Sequence, residues 1–178
     1  MTEARKYKKA LKFAKKKHKG QFRIGGDAYI THPMAVADIV RQGGYGVDVQ
    51  ITALFHDLLE DTDTTEADIL AYGNEQILAA VRLLTKQKGY DMSTYIEGIR
   101  KSEMAMAVKA ADRLHNLHSA TMADEAFRRR YIAESVEWYW DFSPEIPGAI
   151  KALAESLKAP MTEYPFLYES GELPKKRK

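Results

Sequence analysis

Apolar residues in this chain recur at spacings of three and four, and no stretch shows the strict alternation that a half-buried strand needs. That regularity confines the chain to an all-α fold. Over residues 3–19, Tyr7, Leu11, Ala14 and His18 fall on one helical face. Gly25 and Gly26 break the pattern, and "HPMAVADIV" resumes it with Pro33 in the first turn, where a fixed φ and a missing N–H cost little. After "GGYG", Asp48 is suited to cap a helix over roughly 48–60. Further helices are predicted near 65–71, 75–85 and 93–101, over "SEMAMAVKAADRLHNLHSA", and over about 126–141. Ser143 followed by Pro144 reads as an N-cap and first-turn proline opening a last helix to Leu157. Pro160, Pro165 and Pro174 predict extended chain beyond it. The expectation is one all-α domain over 1–159, a bundle of about eight to ten helices with no significant sheet, and an extended basic tail over 160–178.

Composition limits the function classes. With 178 residues, 45% of them hydrophobic, the chain can bury a sizeable core. The lack of cysteine removes disulfides, thiolate metal sites and a cysteine nucleophile, and it fits a cytoplasmic setting. No apolar run approaches the roughly 20 residues of a membrane span, and no apolar signal segment opens the chain, so no membrane partner is expected. The formal charge of +2 conceals an uneven layout. Residues 1–20 hold nine Lys and Arg against one acid, and "KKRK" closes the chain. The body between them holds 14 basic and 24 acidic residues, which argues against nucleic acid as a partner. Nothing in the sequence points to a particular oligomeric state.

One segment departs from a bland amphipathic pattern. "LFHDLLEDTDT" follows an apolar turn and carries His56, Asp57, Glu60 and Asp61. On a continuous helix, with His56 at zero, Glu60 falls near 40°, Asp57 near 100° and Asp61 near 140°, at about 100° per residue. The apolar residues take the other arc. A solvated acidic face would give the same arc, but no Lys or Arg at i+4 relieves the repulsion among these acids. A divalent cation would relieve it, and such ions take imidazole nitrogen together with carboxylate oxygen.

Other segments offer further ligands. His32 precedes Pro33 at a helix start, and Lys109, Asp112 and Asn116 share a face at i, i+3 and i+7. A local pair of Asp112 with Lys109 or Arg113 is the competing reading of that face. Jointly, His32, His56, Asp57 and Asp112 make a four-ligand nitrogen and oxygen set, with Glu60 and Asp61 beside it. Carboxylates next to a metal-activated water suit hydrolysis, and the cations Arg23, Lys109 and Arg113 suit an anionic substrate such as a phosphate ester.

An "H…HD…D" order on a helical chain resembles the HD-domain metal-dependent phosphohydrolases. More closely, "HKGQFRIGGDAYITHPMAVADIV", "ALFHDLLEDTDTT", "YGNEQI…LLTK" and "VKAADRLHNL" resemble, in order and spacing, the hydrolase domain of the RelA/SpoT family and its small stand-alone alarmone hydrolases. The similarity spans roughly residues 5–157. It implies an HD-domain helical bundle and an enzyme that uses one Mn²⁺ per chain to remove the 3′-pyrophosphate from (p)ppGpp, giving GDP or GTP and pyrophosphate. It implies His32, His56, Asp57 and Asp112 as metal ligands and Glu60 and Asp61 as the residues that activate water. Arg23 matches the family's base-stacking arginine and Asn116 its asparagine near the ribose; Lys109, as a nearby cation, is expected to be a further substrate contact. His18 is expected to be packed, and His115 and His118 to stay away from the metal. Ile24 and Ala28 depart from the family pattern beside the base pocket, which leaves another nucleotide substrate, such as NADPH or a nucleoside phosphate, as the alternative. A non-catalytic module binding nucleotide or nucleic acid through the basic first helix is the third reading. The chain is too short for a synthetase domain, so no alarmone synthesis is expected.

Overall fold

Polar caps start several of the helices. In the computed structural model, which describes residues 1–169, Thr65, Asn74, Asp91 and Asp124 each accept a hydrogen bond from a first-turn backbone N–H. These caps satisfy donors that have no partner within the helix. Thr65 and Asp68 do so reciprocally. The elements are α1 (Glu3–Lys17), α2 (Thr31–Gln42), α3 (Val47–Phe55), α4 (Leu58–Asp61), α5 (Glu66–Tyr72), α6 (Glu75–Leu84), α7 (Met92–Arg100), α8 (Glu103–Ser119), α9 (Glu125–Trp138), α10 (Ile146–Glu155), α11 (Pro160–Glu163) and α12 (Phe166–Glu169). A 3₁₀ turn, Ala120–Met122, follows α8. Among the described residues, three of the twelve helices are single turns, and β-pairing is limited to an isolated bridge between Phe22 and Ala28. The all-α expectation therefore holds. No helix among the described residues is long and apolar enough to cross a membrane.

The chain divides into two compact units, Met1–Asp112 and Arg113–Lys178, with the division inside α8. In the first unit α3 is the central element, packed on α1, α2 and α6. Five consecutive residues, Ile51 to Phe55, are buried, as expected of a helix covered on all sides. Phe13 of α1 meets Phe55 edge-on at 5.8 Å and stacks on Tyr72 at 4.1 Å. Val36, Ala37 and Val40 of α2 and Ile77, Leu78 and Val81 of α6 complete this core. In the second unit α9 and α10 pack together, and Ile132, Tyr139, Ile146, Ile150 and Leu153 are buried.

Four local expectations are corrected. Gly46, not Asp48, is the N-cap of α3, and the Asp48 carboxylate instead accepts a hydrogen bond from Asn74 Nδ2 at 2.8 Å. The helix predicted over 48–60 is broken at His56–Asp57: Asp57 sits at φ −99°, ψ −4°, in the sparsely allowed bridge region, and α4 begins after it. Further on, α10 starts at Ile146 rather than at the Ser143–Pro144 pair, with Pro147 in its first turn. The stretch after Leu157 is not extended up to residue 169. Ala159 adopts a left-handed conformation (φ 56°, ψ 46°) that redirects the chain, and Pro160 then opens α11. The basic end, Lys175–Lys178, lies outside the described residues.

Leu54, near the C-terminal end of α3, is wholly buried. Leu54→Ala is expected to destabilise the protein by about 2–5 kcal/mol, read as a lower midpoint in urea unfolding at unchanged slope.

Candidate functional site

Each site element begins or ends where the sequence changes character. The first turn of α2 presents His32, and the apolar α3 ends at His56 with Asp57 in the break that follows. Asp112 comes from α8, at the end of the first unit. The structure brings these four side chains together. His32 Nε2 lies 3.1 Å from Asp112 Oδ1 and 3.8 Å from Asp57 Oδ2. His56 Nε2 lies 3.1 Å from Asp57 Oδ2 and 3.7 Å from Asp112 Oδ1. His32, His56 and Asp112 are buried, and Asp57 is partly open.

This arrangement fits a divalent ion. Bonds of about 2.1 Å to a shared ion would set ligand–ligand edges of about 3.0–3.4 Å, close to the separations observed. His56 Nδ1 is 2.7 Å from the Ala53 carbonyl oxygen, which fixes the proton on that nitrogen. Its Nε2 is buried and has no hydrogen-bond partner despite the nearby carboxylates. Two carboxylates face this nitrogen, so either a proton on it or a divalent cation in the space between them must balance their charge. His32, His56 and Asp57 alone already form a group that could hold a metal ion.

Charge within the cluster is balanced locally. Burial disfavours ionised His56, but Asp57 and Asp112 outweigh it and push the imidazole up to about 10. Burial lowers His32 instead. Against its own burial, Asp57 is drawn down to about 2 by His56. Burial also opposes charge on Asp112, yet Lys109 and the two histidines hold it well below the usual carboxylate range. Lys109 is itself buried and donates to Asp112 Oδ2 at 2.8 Å. The sequence reading placed Lys109 against substrate; its ammonium here is taken up by Asp112, the local pair weighed as the competing reading.

Glu60 and Asp61 lie on α4, just past the break, and both are exposed. Glu60 Oε2 accepts from the Lys86 backbone N–H at 2.9 Å. Partial burial, with Asp57 and Glu60 close by, raises Asp61. Tyr29 ties this carboxylate to the cluster: its hydroxyl is 2.7 Å from Asp57 Oδ2 and 3.3 Å from Asp61 Oδ2. The sequence reading gave Tyr29 no role. Its signal was its place three residues before His32, one turn away at a helix start.

Two further contacts support this hub. His18 is buried against the Tyr29 ring at 4.9 Å, and its Nδ1 is 2.7 Å from Gln21 Oε1. Gln21 Nε2 donates to the Asp61 carbonyl at 2.7 Å. His18 is thus packed, as expected. Arg23 lies with its guanidinium 6.0 Å from the Tyr29 ring centre. Asn116, His115 and His118 belong to the second unit, where Asn116 and His115 are partly buried and His118 is exposed.

The chain resembles known proteins along most of its length. It is 35% identical over 137 residues to the guanosine-3′,5′-bis(diphosphate) 3′-pyrophosphohydrolase of Haemophilus influenzae, a match covering 71% of this chain and 20% of the relative. It is 33% identical over 148 residues to the bifunctional (p)ppGpp synthase/hydrolase SpoT of Escherichia coli K12, covering 77% of this chain and 21% of the relative. The 3′-pyrophosphohydrolase of Aquifex aeolicus is 33% identical over 173 residues, 93% of this chain and 24% of the relative. The chain therefore spans about a fifth to a quarter of the length of these curated relatives. Among solved structures, a metazoan ortholog of SpoT, described as hydrolyzing ppGpp, superposes with a TM-score of 0.64 at 23% identity. That match covers 89% of this chain and 94% of the other, and it shows a shared fold. The HD-domain family model matches residues 10–142, a span that includes His32, His56, Asp57 and Asp112. The chain belongs to the HD-domain family.

Proposed function

We propose that this chain is a metal-dependent hydrolase that removes the 3′-pyrophosphate from (p)ppGpp, giving GDP or GTP and pyrophosphate. The observation that carries the reading is the convergence of two imidazoles and two carboxylates beside a second pair of acids, Glu60 and Asp61. The relatives named for this reaction support the substrate. His32, His56, Asp57 and Asp112 would hold one Mn²⁺. A divalent ion there supplies Lewis acidity toward a phosphoryl oxygen and lowers the pKa of water.

The chain's own groups divide the remaining work. Asp61, raised above an ordinary carboxylate and steadied by Tyr29, accepts a proton from the attacking water. Glu60, held by the Lys86 N–H, orients that water. The water oxygen bonds to the phosphorus attached to the 3′ oxygen. The bond between that phosphorus and the 3′ oxygen then breaks as the proton taken up by Asp61 passes to that oxygen, leaving a 3′ hydroxyl and free pyrophosphate. Lys109 acts through Asp112 by keeping it ionised. Arg23 stacks on the guanine. The lack of cysteine suits a cytoplasmic enzyme.

Purified protein with Mn²⁺ and ppGpp is expected to yield GDP and pyrophosphate by chromatography, and release of single phosphates instead would overturn the reading. Glu60→Ala is expected to keep Mn²⁺ binding by calorimetry while kcat falls by about 10²–10⁴, whereas Asp57→Ala loses both. After chelation, restoring Mn²⁺ to 100 times its Kd is expected to stabilise the fold by about 2.7 kcal/mol in denaturant melts. Asp112→Ala removes that gain.

A further inference from the structure

Most bases of the first 20 residues gather on one side of α1, with Lys6 and Lys17 on its flank. With Arg5 at zero, Lys8, Lys9, Lys12, Lys15 and Lys16 fall between about −80° and +40° at 100° per residue, and all six are exposed. Ala10, Phe13 and Ala14 occupy the opposite arc and are buried. Lys19, also exposed, continues the line just beyond the C-cap His18. The one acid of the helix, Glu3, sits in its first turn. Arg5, Lys8, Lys12, Lys15, Lys16 and Lys19 form no ion pair among the described residues, while Lys17, on the flank, is taken by Asp63 and Asp68. From Arg5 to Lys16 the stripe runs about 17 Å at 1.5 Å per residue.

We propose that this face of α1 binds the phosphate backbone of duplex nucleic acid without regard to sequence. A row of cations that outnumbers the acids beside it, Glu3 and the Asp68 that feels Lys16, matches a polyanion, which gains entropy by releasing its condensed counterions. The exposed arc carries no aromatic side chain on which single-stranded bases could stack, so a duplex is favoured over a single strand. A membrane fits less well. Helices that lie in a bilayer insert a free apolar face, and that of α1 is already packed within the first unit. The whole-chain balance, with its acidic body, argues against nucleic acid. The fold changes that judgement by gathering the bases on one surface. The proposal stands apart from the hydrolase reading, since none of these residues belongs to the metal cluster or to Glu60 and Asp61.

The full-length protein would be titrated into fluorescent 20-base-pair DNA and RNA duplexes of arbitrary sequence at several salt concentrations, followed by anisotropy. Binding with Kd of about 10⁻⁴–10⁻⁶ M is expected near physiological salt, with a logarithmic salt slope of about −4 to −5 for five neutralised phosphates. The combined variant Lys8→Glu, Lys12→Glu, Lys16→Glu, with its fold checked by circular dichroism, is expected to weaken binding at least tenfold at low salt. It should flatten the slope by about one for each lost contact and leave any hydrolase activity unchanged. Four results would overturn the proposal: equal binding by the variant, binding that follows removal of Lys175–Lys178 instead, capture by anionic vesicles with no affinity for duplexes, or self-association that the variant abolishes.

Discussion

Two carboxylates, Asp57 and Asp112, are held within a few ångströms of the same pair of imidazoles, and the first unit is organised around that charge. Buried acids repel one another and lose hydration, so the arrangement persists only where cations meet them. Lys109 meets Asp112 from the same helix, and His56 meets Asp57 from the adjacent residue. A divalent ion is a compact way to complete the balance, and the space between His56 Nε2 and the two carboxylates is where it would fit.

The surrounding packing keeps that charge in register. α3 is buried along its whole second half, so His56, its C-cap, cannot swing away from the cluster. The chain then leaves helical geometry at Asp57 and re-enters it as α4, which turns Glu60 and Asp61 toward solvent beside the ligands. Tyr29 joins the two groups of acids with one hydroxyl, and His18 and Gln21 hold the tyrosine ring and the Asp61 backbone. A cluster that could hold a metal ion, with its own supporting hydrogen bonds, is thereby placed next to exposed carboxylates that can exchange protons with water.

α1 serves this organisation from one side and leaves its other side unused. Phe13 fits between Phe55 and Tyr72, and the helix ends at His18, which supports the hub. Its outer face is a row of bases that the core does not need. The separation follows from the 3.6-residue period, which lets one helix carry two unrelated surfaces.

Helix content was legible in the sequence because burial on one face imposes a period that survives without any tertiary information. The pairing of His56 with Asp57, and the excess of acid after it, were also legible, since uncompensated like charge in a short segment is visible by inspection. The sequence did not disclose that the helix breaks at Asp57, because a bridge-region backbone is selected by the packing around it and not by residue type. Nor did it give Tyr29 or Gln21 a place, since each acts on residues more than 25 positions away. Lys109 shows the same limit: its spacing from Asp112 allowed either a substrate contact or a local pair, and burial of both side chains made the pair. Periodicity and local charge are properties of neighbours along the chain, so sequence alone determined the all-α class and the acids that needed a cation. Which groups meet across space depends on helices packing at defined distances, and only the tertiary structure decided that.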